Sequence, residues 1–249
     1  MGRSFPLAAP LVLLTHLLPA QGGPPLITDD PGTPGDGVWE INVAFTAEKG
    51  AEGEWLLEAP LLDINYGVGE RIQLKLETPW VWVDEDGEPA KNGLGNTEVG
   101  VKWRFLDQEE HRVDMSVYPQ VSFNNPTSSV DRGLVDEGTE VFLPVELERR
   151  FGRFAFNPEA GFVIREEDEE GWEYGLAVGY QLLDELELLG EIHGETDDGL
   201  ERHEIVFNVG GRWEMTPGLD LLVAAGRGLR GAGSGEPEIL GYVGLQFIF

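Results

Sequence analysis

EILGYVGLQFIF, residues 238–249, closes the chain. Ile239, Gly241, Val243, Leu245, Phe247 and Phe249 share one parity; Glu238, Leu240, Tyr242, Gly244, Gln246 and Ile248 share the other. Successive side chains of a strand point to opposite faces, so the first set makes one face that is apolar apart from a glycine. In water, a greasy edge strand of this kind invites aggregation. Two arrangements relieve it. A second sheet can cover the apolar face in a soluble sandwich, or the strand can close a barrel in lipid. A closed barrel has no free edge, and its apolar face meets acyl chains.

Working back from this stretch, the same alternation recurs. Trp39, Ile41, Val43 and Phe45 alternate with Glu40, Asn42, Ala44 and Thr46. Ile72, Leu74 and Leu76 alternate with Arg71, Gln73, Lys75 and Glu77, and Val99, Val101, Trp103 and Phe105 with Glu98, Lys102 and Arg104. Residues 113–123 read as one strand, with Arg112, Asp114 and Ser116 on its polar face. Later segments repeat the pattern, among them Leu186, Leu188 and Ile192 against Glu187, Glu191 and His193, and Phe207, Val209 and Trp213 against Asn208 and Arg212. About twelve such segments fit after residue 37. Charged residues are 25% of the chain, yet these apolar faces carry none. Lys or Arg at a bilayer midplane costs about 2–4 kcal/mol, which accounts for the exclusion in lipid. One residue breaks the rule: Glu58 shares parity with Leu62 and Ile64. A bulge near Ala59 and Pro60, or a position above the lipid band, would reconcile it.

The connections separate the two arrangements better than the faces do. Residues 67–70, 107–111, 149–153, 183–185 and 214–218 are short links. The links between them are longer, with residues 83–96, 124–138 and 226–237 the longest. Membrane barrels have short turns at one end and longer loops at the other, and an even strand count puts both termini at the turn end. A sandwich has no reason to sort loop lengths this way. The expected fold is therefore all-β: a transmembrane antiparallel β-barrel of about twelve strands, of the outer-membrane type. Trp39, Tyr66, Trp103, Phe105, Phe154, Trp213 and Phe249 fall near the expected turn end, and Trp80, Phe123 and Trp172 near the loop end. Amphipathic rings favour both membrane interfaces.

Bulk composition bounds the chemistry. No cysteine occurs, so disulfides, zinc-thiolate sites and Cys nucleophiles are excluded. The net charge of −29 opposes nucleic-acid binding. Residues 1–20 read as a cleaved secretory signal, with Arg3 before the apolar run PLAAPLVLLTHLL, which is too short to span a bilayer as a helix. Residues 21–37, QGGPPLITDDPGTPGDG, are rich in Pro and Gly and aperiodic. They form a segment before the barrel, either loose on the periplasmic side or tucked into the barrel as a plug, with Asp29 and Asp30 in turn roles. The barrel itself covers residues 38–249.

Three stretches resemble a known family: ITDDPGTPGDGVWEINV at residues 27–43, LLDINYGVGERIQLKLETPW at 61–80 and GLGNTEVGVKWRFL at 93–106. They are similar to motifs of the outer-membrane family named for the meta-pathway of phenol degradation. YPQVSF and LLGEIHGE add weaker matches. The resemblance implies a transporter-like barrel that passes small, hydrophobic or aromatic compounds across the outer membrane. A terminal Phe such as Phe249 resembles the signal that barrel-assembly machinery reads.

The polar parity supplies the candidate residues. Arg71, Lys75, Glu98, Lys102, Arg104, Arg112, Glu191, His193 and Arg212 are expected to face the lumen. They could set solute selectivity, or pair across strands and fill a narrow interior. The acidic runs at residues 84–88 and 166–170 read as solvated outer loops, with lipopolysaccharide-bound cations as a second reading. Nothing in the pattern calls for a cofactor, a metal or catalysis. The expected partners are outer-membrane lipid and lipopolysaccharide, the assembly machinery and a small hydrophobic solute, with the barrel acting as a monomer.

Overall fold

A computed structural model describes residues 23–50, 53–85, 87–201, 203–229 and 237–249. The signal expected at residues 1–20, Asp86 of the first acidic run and residues 230–236 of the last loop lie outside the described residues. The strands are β1 (Trp39–Lys49), β2 (Trp55–Val68), β3 (Ile72–Asp84), β4 (Lys91–Leu94), β5 (Thr97–Leu106), β6 (Asp114–Val117), β7 (Gln120–Phe123), β8 (Thr139–Phe151), β9 (Phe154–Arg165), β10 (Gly171–Leu183), β11 (Leu186–Asp197), β12 (His203–Thr216), β13 (Leu219–Gly228) and β14 (Ile239–Ile248). Two short helices, α1 (Gln108–His111) and α2 (Ser128–Asp131), lie in connections.

Each strand pairs antiparallel with its neighbours, and β14 returns to pair with β1 from Glu40↔Ile248 to Lys49↔Ile239. Beyond that ladder the Trp39 amide donates to the Phe249 carbonyl at 2.8 Å, and the Phe249 amide to the Trp39 carbonyl at 3.0 Å. The sheet thus closes on itself through the β1–β14 seam. The barrel has twelve spanning strands.

The structure corrects two strand expectations. Residues 113–123 are not one regular strand but two halves, β6 and β7, separated at Tyr118 and Pro119. Proline has no N–H to give to a ladder, so the regular pairing stops there. Both halves still lie between β5 and β8, and they share a single place in the barrel. Residues 83–96 are not a bare loop. The outer end of β3 pairs with β4, from Trp80↔Leu94 to Val83↔Lys91, as a hairpin projecting past the wall.

The barrel is inside out relative to a soluble protein. Among the described residues the buried apolar cluster is small: Leu26, Ala177 and Leu189, with Ala224 packed on it. Large apolar side chains such as Val43, Leu74, Val101, Leu176, Ile192, Val209 and Val243 stand exposed on the outer face. The outer face meets hydrocarbon and the inner face carries the polar groups, as the alternation requires. At the turn end the rings of Trp39 and Tyr66 lie 4.6 Å apart, and those of Phe154 and Tyr180 4.8 Å apart. At the loop end Phe162 and Trp172 meet at 4.9 Å. The β2–β3 register shifts between Glu58 and Leu61, and the β1–β2 register shifts between Ala44 and Thr46. The expected bulge is present, and it turns Glu58 to the inside, where Thr46 Oγ1 donates to its carboxylate at 2.8 Å.

Candidate functional site: a strapped lumen

The first described residues run inside the barrel. Two features of the wall make room for them. The inner face of β10 is small at Gly175 and Ala177, and a Cβ on Gly175 would stand 2.1 Å from Thr28 Oγ1. Where the segment leaves the lumen, a Cβ on Gly67 would stand 1.7 Å from the Gly35 carbonyl oxygen. Any larger residue at these two positions would displace the segment. Leu26 then packs on Ala177, Leu189 and Ala224. Burying a leucine side chain is worth about 1.5–3 kcal/mol, a modest anchor.

Polar ties add orientation. The Glu191 carboxylate accepts from the amides of Ile27 at 2.9 Å and Thr28 at 2.8 Å, and from Asn208 Nδ2 at 2.6 Å. Glu159 accepts from the Asp29 amide at 3.2 Å. Arg212 donates to the Pro24 carbonyl at 2.9 Å and lies 3.6 Å from Glu187. Lys102 donates to the Asp30 carbonyl, and its ammonium lies 3.1 Å from Asp29, 3.4 Å from Glu146 and 4.5 Å from the centre of the Tyr118 ring. Hydrogen bonds to charged groups contribute about 1.5–3 kcal/mol each when well made. Four wall residues from four strands thus hold one short segment.

The nine residues expected on the lumen sort into three groups. Lys102, Glu191 and Arg212 hold the segment. Lys75, Glu98 and His193 belong to mid-lumen networks: Lys75 lies 2.7 Å from Glu98 and 3.1 Å from Glu77, and His193 Nε2 lies 3.8 Å from Glu173. Arg71, Arg104 and Arg112 sit at the turn end. Arg71 pairs with Asp107, and Arg104 lies 3.1 Å from Asp107 and donates to the Glu70 carbonyl at 2.7 Å. Arg112 is a correction. It is exposed and caps α1 in the left-handed region at φ 68, so it belongs to a turn rather than to the strand wall. Asp29, expected in a turn, and the inner-face carboxylates Glu146 and Glu159 join the site through Lys102 and the Asp29 amide. The small residues of β10 on its polar parity were the signal for a docking groove.

Space remains around the segment. A cavity of about 420 Å³ lies beside it, lined by Lys75, Lys102, Tyr118, Phe142 and Arg212 among others. A second of about 240 Å³ lies between the Pro25–Ile27 stretch and the outer ends of β1, β2 and β14. A vestibule of about 440 Å³ opens at the loop end, and one of about 650 Å³ at the turn end. Gly32 and Thr33 line both the first cavity and the turn-end vestibule, so the segment stands between them. At the loop end Lys91 lies 3.3 Å from Glu88 and 3.6 Å from Glu85. A hydrogen bond to Glu88 and the charge of Glu85 hold its ammonium above the usual lysine range.

Set beside solved structures, the chain is similar to an outer-membrane channel from Pseudomonas putida F1. The TM-score is 0.69 at 14% identity, over 88% of this chain and 98% of that one. It is also similar to the KdgM porin (TM-score 0.59, 12% identity, 84% and 99%) and the NanC porin (0.56, 11%, 83% and 98%). At these identities the likeness extends to the fold: an outer-membrane-type barrel. No protein-family model and no curated protein matches the sequence.

Proposed function

We propose that this barrel is an outer-membrane channel for the passive uptake of small hydrophobic or aromatic solutes. One observation supports this reading above the others: the segment at residues 23–33 narrows the lumen without filling it, and cavities lie on both of its sides. The likeness to an outer-membrane channel and to two porins points the same way. In this reading residues 1–20 are removed, residues 21–37 act as a lumen strap, and residues 38–249 form a monomeric barrel in contact with lipid and lipopolysaccharide. Lys75, Glu98 and His193 line the solute path, and Arg71 and Arg104 the turn-end mouth. Phe249 serves as the signal to the assembly machinery. Reconstitution into vesicles tests the channel: solute-dependent swelling above empty vesicles supports it, and none counts against it.

A second reading is a closed barrel with a structural or surface role. The four wall residues that tie the segment in place favour it. Removing residues 21–37 separates the two. A channel gains flux relative to its wild-type level, whereas a sealed barrel acquires flux only in the truncated form.

A further inference from the structure

Glu58 lines three cavities at once: the 420 Å³ lumen cavity, the 240 Å³ cavity beside Leu26, and the loop-end vestibule. It reaches that junction only because the wall bulges at Ala59 and Pro60. In register it would face lipid. Its hydrogen bond comes from Thr46, a neutral group, and no cation pairs with it among the described residues. The charged side chains that act on it, Glu77 and Glu48, are themselves acidic. A carboxylate held off water without a cation is costly, and a cationic ligand relieves that cost.

The 240 Å³ cavity beside it has a consistent chemistry. Leu26, Ile27, Leu56, Ala224 and Leu240 give it apolar walls. Its polar lining is Thr46, Glu48, Glu58, Asn208 and Tyr242, rich in acceptors and with no Lys or Arg. Asn208 is 2% exposed, and neither its Oδ1 nor the Tyr242 hydroxyl has a hydrogen-bond partner among the described residues. The approach carries the same sign. Nine carboxyl groups and one arginine line the loop-end vestibule, and eight carboxyl groups and three cations line the lumen cavity. A mouth lined by one sign of charge concentrates ions of the other. An apolar cavity of about 150 Å³ takes a benzene, so this one has room for a ring with a short chain.

We infer that the cavity at Glu58 binds apolar solutes that end in a protonated amine, the tail against Leu26, Leu56 and Leu240 and the ammonium on the Glu58 carboxylate. This rests on the channel reading only for its physiological purpose; binding itself does not need flux. The test is calorimetry on the full barrel in phosphatidylcholine nanodiscs, with empty nanodiscs subtracted. The probes are 2-phenylethylammonium, 2-phenylethanol and phenylacetate. The ammonium binds at least tenfold tighter than the alcohol, and the acetate gives no heat. Glu58→Gln keeps the bond from Thr46 and brings the ammonium down to the alcohol's affinity, leaving the alcohol within twofold. Leu240→Trp fills the cavity and weakens both. Equal affinity for ammonium and alcohol in the wild type overturns the inference, and that comparison needs no variant to fold. An unchanged ratio in a folded Glu58→Gln barrel overturns it too. Vesicle swelling run in parallel keeps the two readings apart: flux without amine preference removes this site alone, and amine binding without flux removes the channel alone.

Discussion

Glu191, in the middle of β11, accepts a hydrogen bond of 2.8 Å from the backbone amide of Thr28, residues separated by most of the chain. The same carboxylate takes the Ile27 amide and the Asn208 side chain, so one residue satisfies three donors. Glu191→Ala leaves these donors without their acceptor, at about 1–3 kcal/mol for each that stays buried. The strap is expected to loosen while the barrel persists. Single-channel recording should show conductance well above wild type, and Glu191→Gln, which keeps one acceptor, should fall between. Equal conductance in all three would mean that the segment does not limit the path.

The close fit of Gly175 against Thr28 gives a steric version of the same test. A Cβ there would lie 2.1 Å from Thr28 Oγ1 and 3.1 Å from its Cβ. Gly175→Leu should therefore expel residues 26–29 and speed amide exchange at Ile27 and Thr28 to near the rate of an open chain. Gly190 is the control. Its nearest neighbour to an added Cβ is 3.7 Å away, so Gly190→Ala should leave exchange unchanged.

Lys102 is 2% exposed and stands between Asp29 and Glu146, itself 0% exposed. Removing one partner of a buried ion pair costs about 3–5 kcal/mol, because the other charge is left alone. Lys102→Met should lower the unfolding free energy by that amount, read from guanidinium titrations by tryptophan fluorescence in vesicles. Replacing both charges is often close to neutral. The double variant Lys102→Met with Glu146→Leu should recover most of the loss. A double variant as unstable as the single one would show that the carbonyl contact to Asp30, not the charge pair, matters at this site.

Much of this barrel was legible in the sequence because the period of a strand is two and lipid tolerates no charge on its face. Val243, Leu245 and Phe247 announced an outward face from parity alone, and loop sorting gave the closure. Glu58 showed the same logic at its exception, where a misplaced charge pointed to the bulge. Other parts were not legible. Pro119 interrupts the β6–β7 strand although the parity runs straight through it. Arg112 looked like a strand residue because alternation can extend by chance into a turn. The strap was ambiguous since residues 21–37 have no period, and its fixation depends on side chains far away in the chain. Glu191 and Lys102 could be placed on the inner wall, but which donor each meets is a property of the closed barrel. Gly175 and Ala177, and the apolar pair Leu222 and Ala224 on the inner parity of β13, were the readable hints that something packs inside.

Val101 lies midway along β5, on the outward face and 47% exposed, paired with Leu74. In lipid, Val101→Arg should cost about 2–4 kcal/mol, and Val101→Leu almost nothing. Both can be read from the heat-modifiable gel mobility of barrels folded into vesicles at graded denaturant. A barrel equally stable with Arg at this position would not be using this face against hydrocarbon.

Phe249 separates a structural role from a signalling one. Its backbone closes the seam with Trp39 through two hydrogen bonds, 2.8 and 3.0 Å, and its side chain is 70% exposed. Phe249→Ala preserves the backbone pairing and removes little packing. An exposed substitution of this kind usually changes stability by no more than about 0.5 kcal/mol, so unaided folding into vesicles should stay within about twofold of wild type. If Phe249 carries the proposed assembly signal, insertion in cells should by contrast fall severalfold and unfolded chain should accumulate before the membrane. Pulse–chase of the two chains, with folded and unfolded forms separated by gel mobility, gives the ratio directly. If both assays fall together, Phe249 acts through the seam and the interface. If neither falls, the terminal aromatic is not what the cell reads.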